Sequence, residues 1–424
     1  MTTFSTPKGT QDILPEDWPY WNFVISHAEE VARLFGYLRI ETPTIAETSL
    51  FSRTSGQATD IVEKEMYSFL DRSGDEISLR PETTAPVMRA YLQHGMHKLP
   101  QPVKLYYIEH NFRAENPQKG RLREHHQFGC EAIGVEDAFV DVELVSLLRE
   151  LYRRVGLSGL TLNVNSIGDE ECRPAYLEAL TSYFRGSVAE LAETDRLRLE
   201  RNPLRVLDSK EHKSQRLIGG APKMLDYLCE ACRSHWDKFL RGLTALDFDY
   251  VVDSRLVRGL DYYTRTVFEF SPGGEGAAQS VLGAGGRYDA LSEAMGGPHV
   301  PGVGFGSGLE RLILNIREQG VDVPTSPAAE VYAAHVGEGT EEASLKLSHR
   351  LRQSGVATVM SFGPRGLKPQ LKAAAGSGAR FAAIAFEDEL KDGKVVVREL
   401  ESGEQNAVPL DDVAQVLKGE TSAI

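Results

Sequence analysis

One charged stretch, Val103 to Gly134 (VKLYYIEHNFRAENPQKGRLREHHQFGCEAIG), constrains this chain more than any other. Two β-rich runs flank the turn Asn116-Pro117-Gln118-Lys119-Gly120, the pattern of a long antiparallel hairpin. A turn centred near Gln118 puts Arg113 opposite Arg123. Because side chains alternate along a strand, odd-numbered positions of both runs then share a face. That face carries Glu109, Asn111, Arg113 and Glu115 on one strand, and Arg121, Arg123, His125, Gln127 and Glu131 on the other. The opposite face offers Phe112, Ala114, Leu122, Phe128, Cys130 and Ala132, apolar enough to cover a core. A solvated strand face is the competing reading. The density of arginines and carboxylates able to make bidentate contacts suits phosphates and a small polar ligand.

A chain of 424 residues has room for two or three domains, and its 41% hydrophobic and 25% charged content is that of an ordinary soluble protein. A net charge of -14 argues against non-specific attraction to nucleic acid, while leaving room for a local basic patch facing one RNA. The start, TTFSTPKGTQDILPEDW, has no basic and apolar leader, and no apolar run approaches the ~20 residues of a membrane span. A cytoplasmic protein without membrane contact is expected. Of the four cysteines, Cys229 and Cys232 form a C-x-x-C, with His235 beyond. No second spaced pair appears nearby, so a partly buried helix face within MLDYLCEACRSHWDKFL is the reading, rather than zinc or redox chemistry.

In chain order, PKGTQDILPED reads as a loop, and Glu16 or Asp17 can cap a helix running to Gly36. YLRIETPTIAETSLF is extended; the helix feeding it is either a dimer face or core packing. EISLRPETTAPVMRAYLQHG gives a strand, a proline break and a helix from about Thr84. At that corner Glu82, Thr83 and Thr84 either hold an α-ammonium group or simply cap the helix. After the hairpin come a helix over DAFVDVELVSLLRELYRRVG, a strand LTLNVNSI, and a helix-rich region to about Leu243 with the look of an insertion without motif chemistry.

Sheet pattern returns at FDYVVDSRLVRGLDYYTRTVFEF, where Tyr262 and Tyr263 follow Arg258. Neighbours in a strand point to opposite faces, so at most one tyrosine is expected in any one pocket unless the ladder is bulged. The glycine-rich LGAGGRYDALSEAMGG and PGVGFGSGLERLILNIREQG fail the dinucleotide fingerprint, at Tyr288 and Ser307, and no P-loop occurs. What remains is a bare strand that lets a flat ligand lie close, leading into a helix with Arg311 in its first turn. GVDVPTSPA, including Pro327, reads as a linker to a C-terminal α/β domain with a mostly parallel sheet, whose loop holds Arg365, Lys368 and Lys372.

Together these segments resemble the bacterial-type histidyl-tRNA synthetases, within the class II aminoacyl-tRNA synthetases. PKGTQDILP is similar to the family's amino-terminal loop, TPTIAE with Pro43 to motif 1, FRAENPQKGRLREHHQFGCEAIG to motif 2 and GVGFGSGLERL to motif 3. LVRGLDYYTRTVFE, with RPETTA and GAGGRYD, resembles the peptides of histidine-specific members. The resemblance implies an α/β fold: a class II catalytic domain over 1–325, with an antiparallel sheet flanked by helices and a helical insertion at about 170–245. A C-terminal α/β anticodon-binding domain over 326–424 follows.

It further implies that histidine and ATP form an adenylate whose histidyl group passes to the 3′ end of tRNA(His), in a cytoplasmic homodimer that uses Mg2+. Arg113 and Arg258 would meet the α-phosphate, and Arg311 would lie over the adenine and reach the terminal phosphate. Glu115 would take the adenine amino group or help hold magnesium, with Arg121, Arg123 and His125 also around ATP. Glu82, Thr83, Thr84 and Gln127 would receive the α-ammonium end, and Glu131 and Tyr263 the imidazole, with Tyr262 adjacent. Two positions depart from the family: Thr83 where glycine is usual, and His125 where phenylalanine stacks on adenine. The alternative is the synthetase-like regulatory subunit of ATP phosphoribosyltransferase, which lacks the C-terminal domain and usually parts of the histidine-specific peptide.

Overall fold

The computed structural model describes residues 4–54, 59, 61–273, 281–325 and 329–419. It divides into two units, Met1–Val323 and Pro324–Ile424. Pro327 of the linker lies outside the described residues.

The first unit holds β1 (Leu38–Arg39), β2 (Ile45–Glu47), β3 (Tyr67–Leu70), β4 (Glu76–Leu79), β5 (Val103–Phe112) and β6 (Glu124–Ile133). It continues with β7 (Leu160–Ser166), β8 (Val251–Val252), β9 (Thr264–Pro272), β10 (Gly283–Arg287) and β11 (Gly302–Gly308). The β5–β6 hairpin has the expected register. Asn111 pairs with His125, Phe112 with Glu124, and the Arg113 N–H donates to Arg123 O at 2.8 Å. Around it an eight-stranded sheet forms in the order β1-β5-β6-β11-β10-β9-β7-β8, antiparallel except where β1 joins β5 and β8 joins β7. A separate three-stranded sheet has the order β2-β4-β3.

The hairpin's alternation decides what lies on each side of the sheet. Phe128, Cys130 and Ala132 are buried in the main core with the apolar stripes of the helices Trp18–Leu34, Ala138–Arg154 and Leu309–Glu318. Trp21, Val24, Ala28 and Val31 of the first helix are buried there, so its apolar face is core packing. Its expected side-chain cap is absent: Asp17 takes the cap position but accepts from Arg317 at 2.6 Å instead. The helical region from Arg173–Gly186 to Glu230–Ala245 joins the same core through Tyr176, Leu180, Phe184, Trp236 and Phe239. Its last helix begins at Glu230, so Cys229 is the residue capping it and not part of a helix face.

Beside the core lies a buried charged knot that periodicity could not reveal. Arg287, fully buried, donates to Asp141 Oδ1 at 2.6 Å, Asp289 Oδ1 at 2.9 Å and Val135 O at 2.9 Å, while His235 Nε2 lies 2.9 Å from Asp141 Oδ2. Burial pushes the Asp141 carboxyl up, but Arg287 and His235 hold it below its ordinary value.

The second unit comprises β12 (Val331–Val336), β13 (Thr358–Met360), β14 (Phe381–Phe386), β15 (Lys394–Glu399) and β16 (Gln405–Pro409), in the order β13-β12-β14-β15-β16. The helices Thr340–Gln353 and Leu367–Gly376 are long enough crossovers to make β12, β13 and β14 parallel. The short connection Glu387–Gly393 is not, so β15 runs antiparallel to β14, and β16 to β15. The sheet is therefore mixed rather than mostly parallel.

Replacing Arg287 by Met would leave buried Asp141 with only His235, and take from Asp289 the guanidinium it is paired with. We expect R287M to destabilise the first unit by about 3–5 kcal/mol, measured from its urea unfolding midpoint. A change below about 1 kcal/mol would mean that solvent reaches the knot.

Candidate active site

A cleft of about 600 Å³ is lined by the hairpin, the corner at Glu82–Thr84, the segment from Asp253 to Tyr263, and residues of β9, β10 and β11. All the candidate residues line it except Arg123 and Glu131. Arg123 instead shapes the hairpin tip: its Nε donates to Glu115 O at 3.1 Å and its N–H to Gly9 O at 2.7 Å. Gly9 has φ +87°, and a Cβ there would come within 2.8 Å of the Arg123 stem. Strand pairing ends at Phe112 and Glu124, and beyond it the alternation lapses, so Leu122 lines the cleft rather than covering the core.

The corner is fixed from below. Buried Arg80 pairs with Glu109 at 2.8 Å and donates to His110 O and Thr42 O, tying the strand before the corner to β5. Arg113 Nε then donates to Pro81 O at 2.8 Å. Glu82 accepts from the Thr84 and Ala85 N–H groups at 2.7 and 3.1 Å. It is thus both a cap of the helix Thr84–Gln93 and a wall of the cleft, so the two readings of this residue are compatible. Thr83 has φ −111°, which a β-branched residue adopts readily. Its hydroxyl donates to Asn111 Oδ1 at 3.0 Å, and Asn111 in turn donates to Gln127 Oε1 at 2.6 Å.

Glu131 lies at the bottom, fully buried, where three hydroxyls converge on it: Thr84 at 2.8 Å, Tyr107 at 3.2 Å and Tyr288 at 2.5 Å. Burial pushes the Glu131 carboxyl up to about 8 and Glu82 up to about 7. Tyr107 and Tyr288 were not among the candidates. Tyr107 was findable, since its odd number places it on the polar face of β5.

The glycines of β11 do something other than admit a flat ligand. A Cβ on Gly304 would sit 1.6 Å from Glu131 Oε2, and one on Gly306 would sit 1.4 Å from Gln127 Nε2. The bare strand gives its volume to side chains of the neighbouring β6; only at Gly308 is the space open. Tyr262 and Tyr263 also depart from expectation. They precede β9 in a turn, so strand alternation does not separate them, and both line the cleft with ring centroids 4.7 Å apart.

At the other end the charge is positive. Arg113, Arg121 and Arg311 face one cavity, with the Glu115 carboxylate paired to Arg121. Arg311 is held by Gly120 O at 2.8 Å and Val281 O at 2.9 Å; burial and then the neighbouring Arg121 push its guanidinium below its ordinary value. Arg258 reaches the cleft from the opposite wall, 3.3 Å from Glu269. His125 is pushed down to about 3 by burial and then by Arg113 and Arg311, so it presents an uncharged ring. Asp208, Ser209, Lys210 and Gln215 of the helical region line the cleft too, although nothing in their sequence marked them.

Comparison with known proteins bears on this geometry. A family model described as histidyl-tRNA synthetase matches residues 9–312, and one described as anticodon binding domain matches 330–420. A histidine–tRNA ligase of Dehalococcoides mccartyi is 46% identical over 98% of this chain and 99% of its own length. One from Desulforamulus reducens is 45% identical over the same shares. The apo Staphylococcus aureus histidyl-tRNA synthetase superposes with a TM-score of 0.82 and 34% identity, covering 98% of this chain and 100% of that one. Likeness along nearly the full length, added to an arginine-lined cleft that ends in a buried carboxyl, places the chain in the histidyl-tRNA synthetase family.

Proposed function

We propose that the protein activates L-histidine with ATP and transfers the histidyl group to the 3′ end of tRNA(His), releasing pyrophosphate and AMP. One observation carries the reading: the cleft has clustered arginines at one end, and at the other Glu82 lines it while Glu131 lies buried behind the lining Thr84, both carboxyls poised near neutrality. Polyphosphate suits the first end, and an amino acid with an ammonium group and a two-nitrogen ring suits the second. Full-length likeness to histidine–tRNA ligases and the anticodon-binding match at 330–420 favour this reading over the regulatory subunit, which lacks the C-terminal domain.

The histidine carboxylate is already a nucleophile at neutral pH, so attack on the α-phosphorus needs positioning and charge stabilisation rather than a base. Arg113 and Arg258 would hold the α-phosphate from two sides. Arg311, with the flat His125 ring, would sandwich the adenine, and Arg121 and Arg123 would also serve ATP, Arg123 by bracing the hairpin tip. Glu82, Thr83, Thr84 and Gln127 would receive the α-ammonium, and Glu131 with Tyr263 the two ring nitrogens, with Tyr262 against them. A pocket that pairs both nitrogens rejects analogues by leaving its own buried groups unpaired, ~10⁴-fold or more. Mg2+ is commonly held by one or two carboxylates plus substrate phosphates, and Glu115 fits as such a carboxylate at the cationic end. When bound, the ion would neutralise phosphate charge.

Two broader features belong to the same proposal. A homodimer belongs to the same reading: Leu38, Ile45, Phe69 and Leu70 are exposed on β1, β2 and β3, apolar side chains that a second copy could cover. Among the described residues no helix is long and apolar enough to cross a membrane; the cytoplasmic setting is part of the proposal by likeness to histidine–tRNA ligases.

Pyrophosphate exchange into ATP should depend on histidine and on none of the other amino acids; absence of exchange in folded protein would overturn the reading. R258A should lower the rate of adenylate formation by about 10²–10³-fold while histidine affinity changes little, whereas equal loss of both would make Arg258 a binding residue only. Glu131 makes a third case, with its sign fixed by the raised carboxyl. Stability from keeping it protonated is complete below the unfolded value of about 4.5 and is lost as pH rises through about 8. E131Q should therefore raise the melting temperature of the free protein at pH 8, by less near pH 5, while abolishing histidine-dependent exchange. A lower melting temperature at pH 8 would show the carboxylate to be stabilising.

A further inference from the structure

Away from the cleft, the fold brings together two pairs of the same spacing: Asp169-x-x-Cys172 after β7, and Cys229-x-x-Cys232 at the start of the last helix of the helical region. Their ligand atoms all lie within 4.8 Å of one another, with Cys172 and Cys232 buried and Asp169 and Cys229 half-buried. The sequence offered Cys229 and Cys232 without a second pair. The fold supplies it, with an aspartate in the place of a fourth thiol.

We propose that Asp169, Cys172, Cys229 and Cys232 form a tetrahedral structural zinc site. Zinc with bonds of about 2.3 Å to sulfur and about 2.0 Å to oxygen has ligand–ligand edges of roughly 3.5–3.8 Å. Here Cys172 Sγ is 3.4 Å and Cys229 Sγ 3.9 Å from Asp169 Oδ1. Cys172 and Cys229 each stand at the N-cap of a helix, Arg173–Gly186 and Glu230–Ala245, so two of the four groups are held in place by helix starts. The Asp169 N–H points at Cys172 Sγ from 3.4 Å. The loop must pass close: at Gly168, φ +63°, an added Cβ would fall 2.7 Å from that sulfur and 2.1 Å from Met224 Cε.

The surroundings complete the argument. Asp169 turns Oδ1 to the sulfurs while Oδ2 lies 3.5 Å from Arg265 Nη2, the kind of outer partner that orients a ligating carboxylate. Three thiolates, one carboxylate and Zn2+ sum to a charge of about −2, and Arg265 and Arg173 are the cations at hand. Arg173 donates to Gly168 O at 3.2 Å and to Tyr263 O at 2.8 Å, so the site is one residue removed from a cleft tyrosine. Binding the ion releases the thiol protons to solvent and clips the start of the helical region to its last helix. The four groups are bracketing ligands for that region, whose Asp208 to Lys210 segment overhangs the cleft.

The test is elemental analysis of the full-length protein purified without chelator, with cobalt(II) exchanged for zinc in a second sample. We expect close to one zinc per chain and the visible absorption of a tetrahedral thiolate set for cobalt. C172S and C232S should each lower zinc affinity more than about tenfold. The zinc content of the unaltered protein keeps the test decisive if a variant does not fold. Folded, exchange-active protein with less than a tenth of a zinc per chain, or a Cys229–Cys232 disulfide found by mass mapping before reduction, would overturn the site.

Discussion

The register of the β5–β6 hairpin is the constraint on which the rest depends. A slip of one residue would turn His125, Gln127 and Glu131 into the core and Phe128 and Cys130 into the cleft. The slip is opposed on both faces at once. On one side, Phe128, Cys130 and Ala132 fill the core against three helices. On the other, Glu109 is locked to Arg80, and Asn111 links Thr83 to Gln127, so the strand and the corner before the helix Thr84–Gln93 can only fit together one way. Two independent sets of contacts, one apolar and one polar, agree on the same alignment.

Within that frame the cleft keeps its charges in an unrelieved state. Arginines that repel one another share one end, and at the other end burial holds two carboxyls close to protonation at neutral pH. Each arrangement is unfavourable alone. Both are relieved by a ligand that is anionic at one end and rich in hydrogen-bond donors at the other, which is the sense in which such a site is preorganised for charge developing in a transition state. The folding free energy sustains this misfit because the rest of the unit is conventionally packed.

Most of the architecture was legible because it rests on local rules. Alternation gave the hairpin and its two faces, helical spacing gave Ala138–Arg154, and Gly36 marked the end of the first helix, whose α-helical part stops at Leu34. The cleft residues were legible where motif and alternation coincided, as at Arg113, His125 and Gln127. What escaped depends on distance in sequence. The Arg287–Asp141 pair, Tyr288 beneath Glu131, and the polar residues of the helical region at the cleft edge meet their partners only through tertiary folding. Tyr262 and Tyr263 were misplaced because a turn before β9 breaks the period that strand reasoning assumed. Asp169 and Cys172 were invisible as company for Cys229 and Cys232 for the same reason.

Gly304 and Gly306 leave a consequence for anyone wishing to move this pocket into another sheet. Copying the acidic and amide side chains of β6 would not suffice, because the room they occupy belongs to the adjacent strand. The vacancy has to be transplanted first, and the charged groups after it. An alanine scan that trims side chains would pass over these positions, since a glycine has nothing to trim; only adding atoms there would expose how much of the site is held as missing volume.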